Sequence, residues 1–268
     1  MEKQQILLTN DDGIQSPGLW AAAEALSALG YVTVAAPREQ SSGTGRSLPN
    51  TSDGRIRPQI LNVHGQEWTV YAVGGTPAQA VLHAILEIMP QKPDLVVSGI
   101  NYGENVSLGV TVSGTVGAAM EGAAMSCPSL AISLETEREH YFSYSTEVDF
   151  STAAHFTAVF ARMLLEKRFP PDVDLLKVEI PSNATPQTPW KLTRLSRKPY
   201  FPPVRPERSS WEEPAKVGFD VRNSFEGEPQ DSDAYALRVN RVISVTPLSL
   251  DLTSRVDFHE LDKLLRSN

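Results

Sequence analysis

The stretch DLVVSGI (94–100) is apolar at consecutive positions rather than at alternate ones. A strand of that kind has no face to offer water, so it belongs inside a sheet covered on both sides. Runs of similar character recur along the chain: Gln5 to Thr9, YVTVAA (31–36), WTVYAV (68–73), SLAISLE (129–135) and LLKVEIP (175–181). Helical patterns separate several of them. Ser16-Pro17 stands ahead of GLWAAAEALSALG, with serine placed to cap, proline at the first helical position and Gly30 as the stop. Thr76-Pro77 repeats the device before AQAVLHAILEIM, and FSTAAHFTAVFARMLLEK (150–167) has apolar residues at helical spacing. Buried strands alternating with helices predict an α/β fold: a mostly parallel sheet with helices on both faces.

The pattern loosens after about residue 140. Prolines and charges dominate 182–232, as in KPYFPPVRPERSSWEEP, which reads as an extended arm or long loop ordered by a partner subunit. YALRVNRVISVTPL (235–248) reads as a strand pair, and VDFHELDKLL (256–265) as a closing helix. No internal repeat is present. With 268 residues the chain is long enough for one large domain, and a single domain over 1–268 is expected. Its core would span about 1–181 and 233–253, with the proline-rich arm at 182–232 and the C-terminal helix at about 256–266.

Composition narrows the function. A net charge of −8 argues against a nucleic-acid polymer as partner, which needs a basic stripe. A small phosphate ester needs only local positive potential and stays open. No apolar stretch approaches the 18 residues of a membrane span, and the short apolar run after MEKQQ is too brief for a signal peptide. A cytoplasmic protein without a membrane partner is expected. Cys127 is the only cysteine, which excludes an internal disulfide and a cysteine-based zinc site. His64, His83, His140, His155 and His259 form no HxxxH or HxH pattern.

Polar residues gather where strands end. ILLTNDDG (6–13) closes the first strand on two adjacent aspartates. The pair reads either as an Asx-type turn or as a hard-cation site, since a divalent ion removes the repulsion between neighbouring carboxylates. SSGTGRS (41–47) follows the second strand; no GK[ST] phosphate loop exists anywhere in the chain, but a serine hydroxyl there is a candidate neutral ligand. SGINYGENVSLGVTVSGTVGAAMEGAAM (98–125) joins a strand to a glycine-rich helix through a loop far longer than the usual two to six residues. Ser113-Gly114-Thr115 falls at that helix start, where unpaired N–H groups favour an anion.

Taken together these stretches resemble the SurE family, the stationary-phase survival proteins, which are metal-dependent 5′-nucleotidases. The resemblance runs through ILLTNDDGIQSPG, APREQSSGTGRSL, VGGTPAQAV, PDLVVSGINYGENVSLGVTVSGTVGAAMEG and VISVTPLSLDLT, roughly residues 5 to 253. It implies a Rossmann-like core and one divalent metal ion per subunit, Mg²⁺ or Mn²⁺, on Asp11, Asp12, Ser42 and Asn101. It places phosphate contacts on Asn105, Ser113, Gly114 and Thr115, and the catalytic role on Asp11 and Asp12. It also implies that the arm and C-terminal elements exchange between subunits of a homodimer or homotetramer. Three positions depart from the family pattern. Gln79-Ala80 stand where aspartate-cysteine is usual, Val112 replaces an aromatic before SGTV, and APREQSSG reorders the charges of APDREQSG.

The expected activity is hydrolysis of a nucleoside 5′-monophosphate to nucleoside and inorganic phosphate, with 3′-nucleotides or short polyphosphate as side substrates. A phosphatase of the haloacid dehalogenase type spaces its aspartates as DxD, and the adjacency of Asp11 and Asp12 argues against it. A non-catalytic nucleotide-binding regulatory module is the alternative; it has no need of an acidic pair at that position.

Overall fold

A computed structural model describes residues 3–63 and 66–267, so His64 lies outside the described residues. Strands β1 (Gln4–Thr9), β2 (Gly30–Pro37), β3 (Ile56–Val63) and β4 (Gln66–Val73) are followed by β5 (Leu95–Tyr102), β6 (Ser129–Leu134), β7 (Leu175–Ile180), β8 (Trp190–Leu192) and β11 (Ile243–Leu248) in one sheet. A separate two-stranded ribbon pairs β9 (Pro203–Val204) with β10 (Gly218–Phe219). The helices are α1 (Pro17–Ser27), α2 (Pro77–His83), α3 (Gly114–Ala124), α4 (Ser151–Glu166), α5 (Asp233–Tyr235) and α6 (Phe258–Arg266).

The sheet runs β3-β4-β2-β1-β5-β6-β7-β11-β8. Its centre, from β4 through β2, β1, β5 and β6 to β7, is parallel throughout, in the 3-2-1-4-5-6 order of the doubly wound fold. Antiparallel β3 and β11 flank it. Alternate side chains of β1 show why both faces must be covered. Ile6 and Leu8 pack with Leu19 and Leu26 of α1 and Phe156 and Phe160 of α4. Leu7 points the other way, toward Val81 of α2 and Ala118 of α3. Every residue of β5, β6 and β7 is buried, as the apolar runs require.

Several local expectations need correction. Residues 235–248 are not a strand pair: α5 begins at Asp233, capped by the Ser232 side chain, and continues as a wider turn over Ala236–Asn240 before β11. The alternating RVNRVISV pattern misled because Ala234 and Leu237 are buried positions of a short helix, packed with Val106 and Tyr200. Strand β3 had no expectation at all. Its polar, proline-containing sequence IRPQILNV suits the sheet edge it occupies. Gly30 does not stop α1, which ends at Ser27; it opens β2, where a Cβ would come 2.3 Å from the Gln4 carbonyl oxygen. Ser16 precedes Pro17 in extended conformation but makes no side-chain cap bond.

Within 182–232 the chain is partly built into its own core. Strand β8 pairs with β11, and Tyr200 is fully buried. The ribbon β9–β10 stands out beyond it, with Trp211 88% exposed. Helix α6 has no buried residue, and Phe258, Leu261, Leu264 and Leu265 all face solvent. Among the described residues, no helix is long and apolar enough to cross a membrane.

One irregularity in the sheet places the loop that follows β5. The β5–β6 register shifts between Ser98 and Asn101, and Gly99 has φ +132°. A Cβ at Gly99 would lie 2.3 Å from the Ile132 carbonyl oxygen, so only glycine fits. Replacing Gly99 with alanine is expected to destabilise the protein by about 2–4 kcal/mol, read from urea unfolding followed by circular dichroism.

Candidate active site

Beyond the carboxyl ends of β1 and β5 the strand order reverses, which is where this fold leaves a crevice for ligands. The NDDG segment leaves β1 at that point. Asn10 makes the turn: its Oδ1 accepts the Gly13 N–H at 3.1 Å and its Nδ2 donates to the Gly13 carbonyl at 3.0 Å. The two readings of the motif are therefore divided between its residues, because the turn needs only Asn10. Asp11 and Asp12 are left to point inward, 4% and 1% exposed.

Their surroundings are neutral. Asp12 accepts the Tyr102 N–H at 3.2 Å and the Gln40 amide at 3.4 Å. Asp11 accepts the Thr115 hydroxyl, and the N–H groups of Gly114 and Thr115 also bear on its carboxylate. Among the described residues no lysine or arginine pairs with either acid. Burial raises the proton affinity of Asp11; burial and the charge of Asp11 together raise that of Asp12 well above the ordinary carboxylate range.

Helix α3 is brought hard against Asp11. A Cβ on Gly114 would lie 2.7 Å from the Asp11 Cβ, so glycine permits the approach. Ser113 caps the helix through the Val116 N–H at 3.1 Å, as its position in the sequence implies. Thr115 Oγ1 also lies 3.1 Å from Asn101 Oδ1, so that its one proton is shared with Asp11, while Asn101 Nδ2 donates to the carbonyls of Tyr102 and Gly103 at 3.1 and 2.8 Å. The amide orientation is thereby fixed, with the oxygen turned toward the Thr115 hydroxyl. Thr115 is expected at phosphate; its hydroxyl bonds Asp11 and lies beside Asn101, while its N–H lies at the helix start.

Ser42 comes from the loop after β2. That loop is tied down by the Ser41 N–H to the Asp11 carbonyl at 2.7 Å and by the Gly45 N–H to the Val112 carbonyl at 3.0 Å. Arg46 reaches Glu121 of α3 at 2.7 Å. Asp11, Ser42, Asn101, Asn105 and Ser113 all line one cavity of about 290 Å³. The fold thus brings together, on the crevice, residues that lie up to about a hundred positions apart in sequence. No three His, Cys, Asp or Glu side chains converge as a metal cluster among the described residues. The donor set is two carboxylates completed by neutral oxygens, and such oxygen ligands suit a hard divalent cation. Two buried acids without a basic partner have the charge that such an ion would neutralise.

Sequence reasoning missed what holds Asn105. Lys177 and Glu179, two apart in β7, share a face of the strand and are fully buried. Glu179 accepts the Asn105 N–H and Lys177 Nζ donates to the Asn105 carbonyl, both at 2.9 Å. Asp233 of α5 binds Lys177 at 3.1 Å and accepts the Ser107 N–H at 2.9 Å, and Ser107 takes the left-handed conformation with φ 58°. Burial pushes Glu179 up to about 7 despite Lys177. A lysine and a glutamate inside an otherwise apolar strand were the signal available in LLKVEIP. The Asp233 partner had none. Gln79, a departure from the family pattern, completes a capping box on α2 and binds Ser52 and Pro49, away from the acids.

Fold and site define a doubly wound α/β protein with a buried acidic crevice, closed by a helix N-terminus, at the point where strand order reverses. The model of the family "Survival protein SurE" matches residues 6–201. Proteins named 5′-nucleotidase SurE are 44% identical in Thermococcus kodakarensis, over 97% of this chain and 98% of that one, and 38% identical in Methanocella arvoryzae, over 98% of each. A crystal structure of a SurE protein from Aquifex aeolicus is similar with a TM-score of 0.75 at 31% identity, covering 97% of this chain and 99% of that one. The chain belongs to the SurE family.

An acidic pair of this kind opposes folding when no cation is bound. The Asp12→Asn substitution keeps an acceptor for the Tyr102 N–H and removes one of two repelling charges. In EDTA the variant is expected to be more stable than the parent by on the order of 1 kcal/mol at neutral pH. The gain should fade as pH falls and the parent's raised carboxyls take up protons, a trend that thermal melts across pH will check.

Proposed function

We propose that this protein is a phosphate monoester hydrolase that acts on nucleoside 5′-monophosphates, releasing nucleoside and inorganic phosphate. The observation that carries the reading is the acidic pair: two buried, adjacent carboxylates without a basic partner among the described residues, with Asp11 lining the cavity hard against the start of α3. A non-catalytic binding module gains nothing from them. The family membership and the names of the relatives support the same activity.

In this reading Asp11, Asp12, Ser42 and Asn101 hold one divalent ion, Mg²⁺ or Mn²⁺, per subunit. Such an ion supplies charge neutralisation at the phosphoryl group and lowers the proton affinity of water. The chain's own part is to bind and orient. Asn105, through its side-chain amide, and the positive end of α3 at Ser113, Gly114 and Thr115 would meet phosphoryl oxygens where they gather negative charge, the Gly114 and Thr115 N–H groups being shared with Asp11. The hydrogen bond from Thr115 keeps Asp11 and Asn101 aligned before substrate arrives, so that little reorganisation is left for the transition state. Asp11 and Asp12 carry the catalytic role, as general acid–base or as nucleophile. The 3′-nucleotides and short polyphosphates present a similar terminal phosphoryl group and belong in the same substrate panel.

Colorimetric phosphate release from AMP, GMP, CMP and UMP is expected with Mn²⁺ or Mg²⁺ and not with EDTA. The Asp12→Asn variant is expected to lose at least about a thousandfold in kcat while keeping a native circular dichroism spectrum. No release from any monophosphate would leave the binding module as the function.

The reading extends to assembly and location. The uncovered apolar side of α6 and the outstanding β9–β10 ribbon support a homodimer or homotetramer in which a second copy covers them. Light scattering is expected to give two or four subunits, and Leu261→Glu with Leu265→Glu is expected to shift the mass toward monomer. A cytoplasmic location fits a nucleotide substrate and a chain with one buried thiol.

A further inference from the structure

Asn105 lines the cavity with both of its backbone groups and its side-chain amide already held. Its N–H donates to Glu179 Oε2 and its carbonyl accepts from Lys177 Nζ, both at 2.9 Å, while its Nδ2 donates to Ser133 Oγ at 3.0 Å. The sheet sets these anchors side by side. Ser133 of β6 is the register partner of Glu179 of β7, so the two side chains rise on one face. A primary amide carries two hydrogens; Ser133 takes one, and the second remains for the cavity. Behind Lys177, Asp233 binds the ammonium at 3.1 Å and accepts the N–H groups of Ser107, Ser196 and Ala234 at 2.9, 3.0 and 2.8 Å. Lys177, Glu179 and Asp233 are fully buried. Ions in such a place are costly, and apolar residues of similar volume would pack β7 at least as well. Stability therefore does not account for them. What charge adds to packing is direction, and here the direction is toward Asn105.

We propose that Ser133 and the Lys177–Glu179–Asp233 cluster are positioning residues for the phosphoryl group: together they aim the free amide hydrogen of Asn105 at it. The proposal rests on the reading that a phosphate ester meets Asn105, and adds what holds that donor in place. None of the four lines the cavity, so they reach the substrate only through Asn105. Asp233 fixes the same loop two residues further on, where Ser107 is left-handed with φ 58°, a conformation that costs a serine energy and persists where its surroundings impose it. A donor set in place before the substrate arrives leaves little reorganisation for binding or for the transition state.

The test is a double-mutant cycle against Asn105→Ala, which keeps both backbone bonds and removes only the amide. Ser133→Ala takes away one hydroxyl and no charge, and Glu179→Gln keeps the shape of the acceptor. Each should raise the KM for AMP and the Ki of inorganic phosphate together, by about three- to thirtyfold. Made in the Asn105→Ala background, the same changes should have no further effect. Should Glu179→Gln not fold, the combined Lys177→Met, Glu179→Leu and Asp233→Asn variant removes the cluster without stranding a charge. An equal loss in both backgrounds overturns the proposal, since it marks a merely structural cluster, and so does the absence of any loss. Calorimetric titration with inorganic phosphate in Mn²⁺ repeats the cycle without turnover. If no ester is hydrolysed but phosphate binding shows the same dependence on Asn105, the hydrolase reading fails and the positioning role stands. A parent that does not bind phosphate removes the positioning role as well.

Discussion

Mutual repulsion between two adjacent, buried carboxylates is the constraint around which this structure is organised. Asp11 and Asp12 are withdrawn from water at the end of β1, and no basic side chain answers them among the described residues. A folded chain tolerates this only with compensation. Part of it is visible as hydrogen bonds from Tyr102, Gln40, Thr115 and the start of α3. In the proposed reading a divalent cation would supply the remainder, which is how a site gives up stability to gain affinity for what it binds.

The doubly wound topology makes the arrangement possible. Strands β1 and β5 are neighbours in the sheet although about ninety residues separate them in the chain. Their carboxyl ends deliver Asp11 and Asn101 to one cavity, Asp12 is held at the Tyr102 N–H, and the loop after β2 adds Ser42 to the cavity. Parallel strands all point their loops to the same edge, so an oxygen-rich crevice needs no special geometry beyond the order of the strands.

A second layer of charge sits beneath Asn105. Lys177, Glu179 and Asp233 are fully buried and act on the backbone of Asn105 and Ser107. Removing a single member would strand the others in an apolar interior. The same α5 that carries Asp233 packs with Tyr200, and Tyr200 shares Glu104 with Tyr141. The proline-rich segment is thus coupled to the site by contacts within one subunit, whatever its role between subunits.

Much of this was legible in the sequence. Apolar runs with no polar face dictated a covered parallel sheet, because an unpaired strand backbone and two apolar faces cannot be hydrated at once. The cap-and-proline pairs located the starts of α1 and α2, and NDDG, SGIN and SGTV marked the strand and helix ends where polar groups collect. Local pattern failed where the deciding contact was remote. Residues 235–248 alternate like a strand yet begin as a helix, because Ala234 and Leu237 find Val106 and Tyr200. Nothing in the sequence near Thr115 shows that the fold sets Asp11 and Asn101 beside its hydroxyl. The sequence by itself determined which residues must be buried and which bear charge, since those depend on side-chain chemistry and spacing. Only the tertiary structure decided which charges face one another and which polar groups share the cavity, because those pairings join segments that sequence spacing leaves independent.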